Sequence, residues 1–268
     1  MTPRATEPNA VQLCVVALVR RERVRSIVRT AFPRRRAHVQ LTRSAAEVSE
    51  QMVRQLVDAV LVDASAGEDA VKALQFATDF PSIPFLLVTG LLPHDAPLIA
   101  RSGELGVADL LVEGMDDAIA RDLVLRRAFS SRFERALSQP PQPLSLDTPL
   151  QIAVWQSVVK RAGRPVRTDQ LAKELGVSRE HLSRSFAVGQ APTLKRVIDL
   201  VRLLSAAELA KNPGYDIRDV AEVLGFASSS HLSGTTQRLV GARASSLTRL
   251  RTMDLLERFQ RHRQQDDE

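Results

Sequence analysis

The sequence predicts an α/β domain with a parallel sheet, followed by an all-α domain. Apolar strand-like runs alternate with helical patterns as far as residue 137, which is typical of a parallel sheet covered on both faces. Prolines crowd the segment 138–149, and every pattern after it is helical. We therefore predict a sheet domain at 10–137, a linker at 138–149, a helical domain at 150–250, and a helix end with an acidic tail at 251–268.

The predicted elements follow from the period of the apolar residues, which is continuous in buried strands and about 3.6 in helices. Five strands are expected, at Gln12–Val19, His38–Thr42, Ala59–Val62, Phe85–Thr89 and Asp109–Val112. The helices that follow them are expected at Glu22–Ala31, Ala45–Val57, Gly67–Thr78, Ala96–Leu105 and Asp116–Leu137. The C-terminal helices are expected at Leu150–Arg161, Thr168–Leu175, Ser178–Val188, Thr193–Ala210, Ile217–Leu224, Ser228–Val240 and from Ser245 onward.

Charge is distributed unevenly along the chain. The net charge is +6, yet residues 1–150 carry 18 basic and 18 acidic residues, so the excess lies in residues 151–268. A basic half favours a polyanionic partner, although a merely solvated surface would give the same count. The single cysteine, Cys14, excludes an intrachain disulfide and suits a reducing cytoplasm. The apolar run at 11–19 is too short to span a bilayer, so we expect no membrane contact and a cytoplasmic, nucleoid-associated location.

Two segments of the basic half repeat one pattern. LAKELGVSREHLSRSF begins at Leu171 and VAEVLGFASSSHLSG begins at Val220. Each has an alanine, a Leu-Gly pair three residues later, an apolar residue, a serine and then His-Leu-Ser. A short helix, a glycine turn and a second helix form a helix-turn-helix, whose second helix fits the DNA major groove. The repeat therefore predicts that the chain reads double-stranded DNA at two neighbouring places.

We call the second helix of each helix-turn-helix its reading helix. The outward positions of the first reading helix are the candidate DNA contacts. Leu182 and Phe186 point inward at helical spacing, which leaves four side chains on the groove side, namely Arg179, Glu180, Ser183 and Arg184. We expect Arg184 to grip guanine O6 and N7, and Arg179 to meet a phosphate. Glu180 either accepts from a cytosine amino group or balances charge, and Ser178 caps the helix.

The second reading helix is expected to hold the chain on the DNA backbone more than to recognise the base sequence. Its outward serines are Ser229, Ser230 and Ser233, and we expect only backbone contacts from Gln237 and Arg238. Gly234 lies inside this helix, where glycine costs about 1 kcal/mol relative to alanine, so a short or frayed helix is predicted. For every position named in either helix, the alternative is an ordinary solvated helix surface.

The helical domain resembles the DNA-binding domain of the AraC/XylS family over about residues 150–250. Between the two units, Arg202, Ala206, Leu209 and Pro213 match that family's pattern. The resemblance implies a transcription regulator whose partners are duplex DNA and RNA polymerase, with base-reading positions at Glu180, Ser183 and Arg184. This chain departs from the family at three positions, which are Gly234 for an arginine, Thr236 for a buried phenylalanine and Ala244 for a proline.

The N-terminal domain resembles the receiver domain of response regulators, which has a flavodoxin-like fold. The resemblance implies a phosphate-accepting aspartate at Asp63 and a hydroxyl at Thr89. It fails at the acidic pair that would hold magnesium, where residues 17–19 are apolar, and at the lysine position, which is Glu113. We therefore predict a pseudo-receiver, meaning a receiver-like domain that is not phosphorylated, with Asp63 capping its strand or paired with a nearby arginine.

A surface role is expected for this domain, either in regulation or in forming a homodimer. The last predicted helix has more apolar residues than one sheet contact needs. Ile119 and Leu123 are expected in the core, whereas Phe129, Phe133 and Leu137 are expected on a second chain or on the linker.

The remaining patterns predict no enzyme, no metal and no cofactor. His181 and His231 have no ligand at zinc spacing, and Trp155 and Tyr215 are expected to be packing residues. Two alternatives stay open beside the regulator with a pseudo-receiver. One is a response regulator switched by phosphorylation of Asp63, and the other is a protein-interaction scaffold with weakened DNA binding.

Overall fold

A computed structural model describes residues 12–186 and 189–266, with side-chain exposure described as far as residue 264. Three sequence predictions lie partly outside the described residues. These are the start of the sheet domain at residue 10, the end of the first reading helix at Val188 and the end of the acidic tail.

The sheet has five parallel strands in the order β2-β1-β3-β4-β5. The strands are β1 Leu13–Leu18, β2 Ala37–Thr42, β3 Ala59–Asp63, β4 Phe85–Thr89 and β5 Asp109–Val112. In the register, Val15 lies opposite Ala59 on β3, and Val62 lies opposite Leu87 on β4. This strand order is the flavodoxin-like arrangement, so the predicted fold class is confirmed.

Helices cover both faces of the sheet. They are α1 Glu22–Ala31, α2 Ala45–Arg54, α3 Glu68–Asp79, α4 Ala96–Arg101, α5 Asp117–Arg127 and α6 Phe129–Ala136. Val24 of α1 and Val124 of α5 pack on one face, while Met52 of α2 and Leu74 of α3 pack on the other. We call residues 13–136, from β1 to α6, the sheet half.

The predicted single helix Asp116–Leu137 is wrong, because the chain bends between α5 and α6. Ala128 has extended backbone angles (φ −48°, ψ 137°) at this bend. The backbone N–H groups of Phe129 and Ser130 donate to the carbonyl and the carboxylate of Asp58, both at 3.0 Å. These bonds, made across the sheet, replace bonds within one continuous helix and turn α6 toward the start of β3.

The rest of the described chain is helical, as predicted. The helices are α7 Pro149–Val159, α8 Thr168–Glu174, α9 Arg179–Ser185, α10 Leu194–Leu209, α11 Ile217–Val223, α12 Ser229–Val240 and α13 Thr252–Asp266. We call residues 149–266 the helical half. The expectation of a short or frayed α12 is wrong, because this helix runs to Val240 and ends at Gly241 in the left-handed region (φ +60°). None of the described helices is long and apolar enough to cross a bilayer.

One hydrophobic core runs through both halves. Phe129, Phe133 and Leu137 are buried in the same cluster as Trp155 of α7, whose indole N–H donates to the Leu137 carbonyl at 2.8 Å. These three residues, expected on a second chain or on the linker, lie in one cluster with Leu144 and Leu146 of the predicted linker. Ile119, expected in the core, is instead 55% exposed. The core also crosses the predicted linker, where Leu144 and Leu146 are buried.

The amino-terminal edge of the sheet is clamped to the helical half by a buried ion pair. The Arg164 guanidinium, between α7 and α8, donates to the fully buried Asp58 carboxylate at 2.6 Å and to the Leu56 carbonyl at 3.0 Å. Asp58 also accepts from the Cys14 N–H at 2.8 Å. Every oxygen of this buried carboxylate is therefore used, and one of its partners comes from the opposite half of the molecule.

Candidate nucleic-acid interface

The first helix-turn-helix is formed by α8 and α9. Gly176 turns the chain at φ +68°, a conformation without steric cost only for glycine, and the next N–H, of Val177, donates to the Ala172 carbonyl at 3.0 Å. Ser178 then caps α9, with its hydroxyl accepting from the His181 N–H at 3.1 Å.

The second unit, formed by α11 and α12, repeats this geometry. Gly225 turns at φ +65°, and the N–H of Phe226 donates to the Ala221 carbonyl at 2.7 Å. Ser228 caps α12 by accepting from the His231 N–H at 3.1 Å. Its turn is one residue longer than the first, because two residues lie between the glycine and the capping serine instead of one. The repeat in the sequence is thus confirmed as a repeat in structure.

The long helix α10 fixes the second unit through Arg202. Its guanidinium donates twice to the Leu224 carbonyl, at 2.8 and 3.0 Å, and lies 3.7 Å from the centre of the Phe226 ring. The carbonyl oxygen and the face of the aromatic ring both attract a positive charge. One arginine side chain therefore contacts the residue before Gly225 and the residue after it. Leu182 and Leu232, the central leucines of the two reading helices, are fully buried. The opposite face of each reading helix is therefore presented to solvent.

The predicted contact residues lie on those solvent faces. In the first unit Arg179, Glu180, Ser183 and Arg184 are all exposed, and Ser178 is exposed at the cap. In the second unit Ser229 is half-buried, and the exposed residues are Ser230, Ser233, Gln237 and Arg238. A side chain must be exposed in order to contact DNA, and these side chains are exposed or half-buried. The assignment of each residue to a base or to a phosphate stays a prediction.

The helix α10 lies between the two reading helices and contacts both. A cleft of about 670 Å³ between α9 and α10 is lined by Arg179 and Ser183 and also by Lys195 and Asp199. Asp199 in turn accepts from the Arg238 guanidinium of α12 at 3.3 Å. Lys195 and Asp199 are not among the residues predicted from the sequence. Their positions four residues apart, polar on a largely buried helix, were the available signal.

A third group of cations follows α12. Arg243, Arg249 and Arg258 line a cleft of about 430 Å³ together with Ser245 and Ser246. Arg249 and Arg258 were also missed, because they lie 6 and 15 residues after Arg243 and only the fold brings them together. Guanidinium and hydroxyl groups are the donors that phosphate oxygens accept, so this cleft fits a DNA backbone.

Asp63 lies at the carboxyl edge of the sheet, where a receiver would accept phosphate. An arginine occupies this site. The Arg21 guanidinium donates to one oxygen of Asp63 at 2.7 and 3.0 Å and forms an ion pair with Glu113 through its other end nitrogen. Ser65 donates to the same Asp63 oxygen with its N–H at 3.0 Å and its hydroxyl at 2.9 Å.

These contacts keep Asp63 ionised and enclosed. The backbone N–H groups of Arg20 and Arg21 donate to its second oxygen, at 3.2 and 3.0 Å, and the side chain is fully buried. Burial alone would raise the pKa of Asp63, but the hydrogen bonds from Arg21 and Ser65 outweigh it and hold the pKa below its usual value. The Thr89 hydroxyl donates to Asp95 at 2.7 Å instead of facing Asp63. The predicted pairing of Asp63 with a nearby arginine is therefore confirmed.

Comparison with known proteins agrees with this geometry. Residues 171–249 match a family model described as a helix-turn-helix domain. A curated relative, the HTH-type transcriptional regulator GlxA of Rhizobium meliloti (strain 1021), is 23% identical over 163 residues, which are 58% of this chain and 50% of that protein. The chain thus spans about half the length of the curated relative it matches.

Solved structures of response regulators are among those to which the chain is similar. One from Thermotoga maritima is 19% identical with a TM-score of 0.39, covering 45% of this chain and 99% of that one. Full-length FixJ from B. japonicum is 16% identical with a TM-score of 0.38, covering 70% of this chain and 95% of that one. Identities and TM-scores this low carry no argument about activity.

Fold and site together define a class of two-part proteins in which a flavodoxin-like, receiver-like sheet domain precedes a double helix-turn-helix. The helix-turn-helix part of this arrangement contains the region that matches the family model, residues 171–249.

Proposed function

We propose that this chain is a sequence-specific, DNA-binding transcription regulator. One observation carries the proposal, namely that two serine-capped reading helices each present a polar face to solvent while their leucines are buried. The cleft after α12, which is lined by Arg243, Arg249 and Arg258, adds cations that fit phosphates of the DNA backbone. Binding of duplex DNA would place the chain on the nucleoid, and RNA polymerase is the further partner we propose.

The test is a selection from random duplex DNA followed by titrations on the selected site. Arg184→Ala removes a bidentate guanine contact, so we expect the preference for the selected site over random DNA to fall by about 1–3 kcal/mol. Arg238→Ala removes a backbone contact, so we expect all DNA to be bound more weakly by a similar factor. The plot of log affinity against log salt should also flatten by about one.

Equal loss of preference in the two variants would refute the division of labour between the helices. An absence of binding to random duplex even at low salt would refute DNA binding itself, and would favour the alternative of an interaction scaffold.

We further propose that the sheet half is a pseudo-receiver. The Arg21 guanidinium supplies between Asp63 and Glu113 the positive charge that a metal ion and a lysine would supply in a receiver. Both oxygens of Asp63 already accept hydrogen bonds from Arg21 and its neighbours. A phosphoryl group would therefore have to displace the Arg21 guanidinium. Incubation with a small phosphodonor and magnesium, followed by intact mass measurement, should show no added phosphate. A phosphorylated wild-type chain would support the response-regulator alternative instead.

A homodimer through the sheet half is the remaining part of the proposal. The exposed side chain of Ile119 at the start of α5 and the exposed Leu91 and Leu92 after β4 are the apolar residues available to it. Analytical ultracentrifugation of wild type and of Ile119→Asp tests it. We expect the variant to sediment as a monomer, and a wild type that is monomeric at high concentration would end the idea.

A further inference from the structure

A third cleft lies between the two halves and shares no lining residue with the two clefts described above. Its volume is about 730 Å³, within the range of small-molecule pockets. α6 forms one wall and the start of α13 the other, and the cleft also touches the loop before β4 and the end of α10. The floor is apolar and buried, and consists of Phe129, Phe133, Leu137 and Leu256.

The polar rim has an unbalanced positive charge. Glu208 is already paired with Lys211 at 2.5 Å. Arg132 donates only to the carbonyl of Ser82, and within the described ranges it has no carboxylate partner. Arg132 is exposed at the rim of the cleft. Partial desolvation and the repulsion of two neighbouring arginines, Arg127 and Arg135, lower the pKa of Arg132, and the attraction of Glu208 offsets this only in part. An anion in the cleft would give this guanidinium a charge-assisted partner.

We propose that this cleft binds a small molecule with an apolar body and a single anionic group, the body on the phenylalanine floor and the anion on Arg132. Walls from both halves would contact the ligand at once, so bound ligand stabilises the docked arrangement of the two halves. The site is independent of the DNA-reading surface, and its binding test can succeed or fail whatever the outcome for DNA.

The test uses two fluorescent probes that share a body and differ in charge. 8-Anilinonaphthalene-1-sulfonate is anionic, and N-phenyl-1-naphthylamine is its neutral counterpart. We expect the full-length chain to bind one molecule of either probe. Arg132→Gln should weaken the sulfonate about tenfold, as expected for one lost charge-assisted hydrogen bond, and leave the neutral probe within about twofold. Arg132→Lys keeps the charge and should restore most of the sulfonate affinity.

A second variant fills the cleft without disturbing the core. Ala136 is exposed on the cleft wall, so Ala136→Trp should abolish binding of both probes, whereas Ala46→Trp, at an exposed alanine of α2 outside the cleft, should change neither. Equal behaviour of the two tryptophan variants, several probes bound per chain, or equal effects of Arg132→Gln on both probes would overturn the proposal. A change of sedimentation in Ala136→Trp would also overturn it, since the occupant would then be a second copy of the chain.

Discussion

Arg21 is the residue on which the carboxyl edge of the sheet depends. Two acids, the buried Asp63 and the partly buried Glu113, lie at the ends of β3 and β5 and share the Arg21 guanidinium. This guanidinium has a planar fork that reaches both carboxylates. Arg21 therefore compensates two negative charges in a poorly solvated site.

Removal of this cation should cost stability in a pH-dependent way. We expect Arg21→Leu to lower the free energy of unfolding by about 3–5 kcal/mol at pH 7, because it removes the cation that pairs with the fully buried Asp63 and with Glu113. The surface arginine Arg23 is 3.9 Å from Glu113 and mostly exposed, so Arg23→Leu is the matched control and should stay within about 0.5 kcal/mol of wild type. Urea unfolding at several pH values measures both.

The sign of the pH effect follows from the pKa of Asp63. In wild type this pKa is lowered, so the stabilisation is complete above the ordinary carboxyl pKa of about 4 and is lost as the pH falls through the lowered value. In Arg21→Leu the side-chain bonds from Arg21 are lost, and only Ser65 and the backbone N–H groups still oppose the effect of burial, so the pKa of Asp63 rises. Protonation of Asp63 then reduces the destabilisation of the variant at a higher pH than in wild type. The difference between wild type and variant should shrink from pH 7 toward pH 4. A difference that is constant over this range would contradict the ion-pair account.

Residue-scale contacts divide sharply into those that the sequence predicts and those that it does not. The pairing of Asp63 with an arginine follows from the absence of metal-holding acids near a cluster of arginines. The pair Asp58 and Arg164 has no such local signal, since 106 positions separate the partners and neither belongs to a motif. Only the docking of the two halves explains why both charges are buried.

At the scale of elements, glycine has opposite roles in the second helix-turn-helix. Gly225 occupies a left-handed turn (φ +65°), and a Cβ placed there would meet the ring of Pro165 at 2.8 Å. Gly234 lies within α12, and a Cβ there would meet nothing within 4 Å. The first glycine is required by the turn, whereas the second only weakens the helix.

The two glycines therefore predict alanine substitutions of opposite sign. Gly234→Ala should raise the free energy of unfolding by about 1 kcal/mol, the difference in helix propensity. Gly225→Ala should lower it by about 1–2 kcal/mol for the left-handed backbone alone, and by more if Pro165 cannot move. Denaturant unfolding of the two variants beside wild type measures the changes. A destabilised Gly234→Ala would mean that this position is strained in a way its surroundings do not indicate.

Element types were predictable because strand and helix periods are local properties of the sequence. Strands β4 and β5 have the predicted bounds, and so does α1. The break between α5 and α6 was not predictable, because the residues around Ala128 have no proline or glycine and the bend is imposed by bonds to Asp58. Tertiary contacts outweighed helix propensity at that point.

At the scale of the whole molecule, β3 connects the two ends of the sheet half. Asp63 ends this strand at the Arg21 site, and Asp58, just before its first residue, holds Arg164 of the helical half. Five residues of extended chain separate the two aspartates, a span of about 16 Å. The acceptor-like site and the docking site therefore lie at opposite edges of one sheet, joined by a buried strand.

The turn between the two helix-turn-helix units is docked on the sheet half. The N–H of Gly214 donates to the Asp79 carbonyl at 2.8 Å, and the Tyr215 hydroxyl donates to the Met52 carbonyl at 2.9 Å. The Tyr215 ring meets the Phe80 ring edge-on, with 4.8 Å between centroids. This contact ties the spacing of the two helix-turn-helix units to the sheet half, so the sheet half is part of the scaffold of the proposed DNA-binding surface.

Docking through a common core predicts that wild type unfolds as one unit. Calorimetry should give a single transition with equal calorimetric and van't Hoff enthalpies. Gly214→Val should separate the halves, because even a Cβ at this position would lie 2.5 Å from the Phe80 ring. We expect two transitions in the variant, with the secondary structure measured by circular dichroism retained. Gly103→Val is the matched control, since a Cβ at Gly103 meets nothing within 4 Å, and it should keep the single transition. If Gly214→Val unfolds in one step like the control, the halves are coupled by the Asp58–Arg164 pair and the shared core alone, and the docked turn is dispensable.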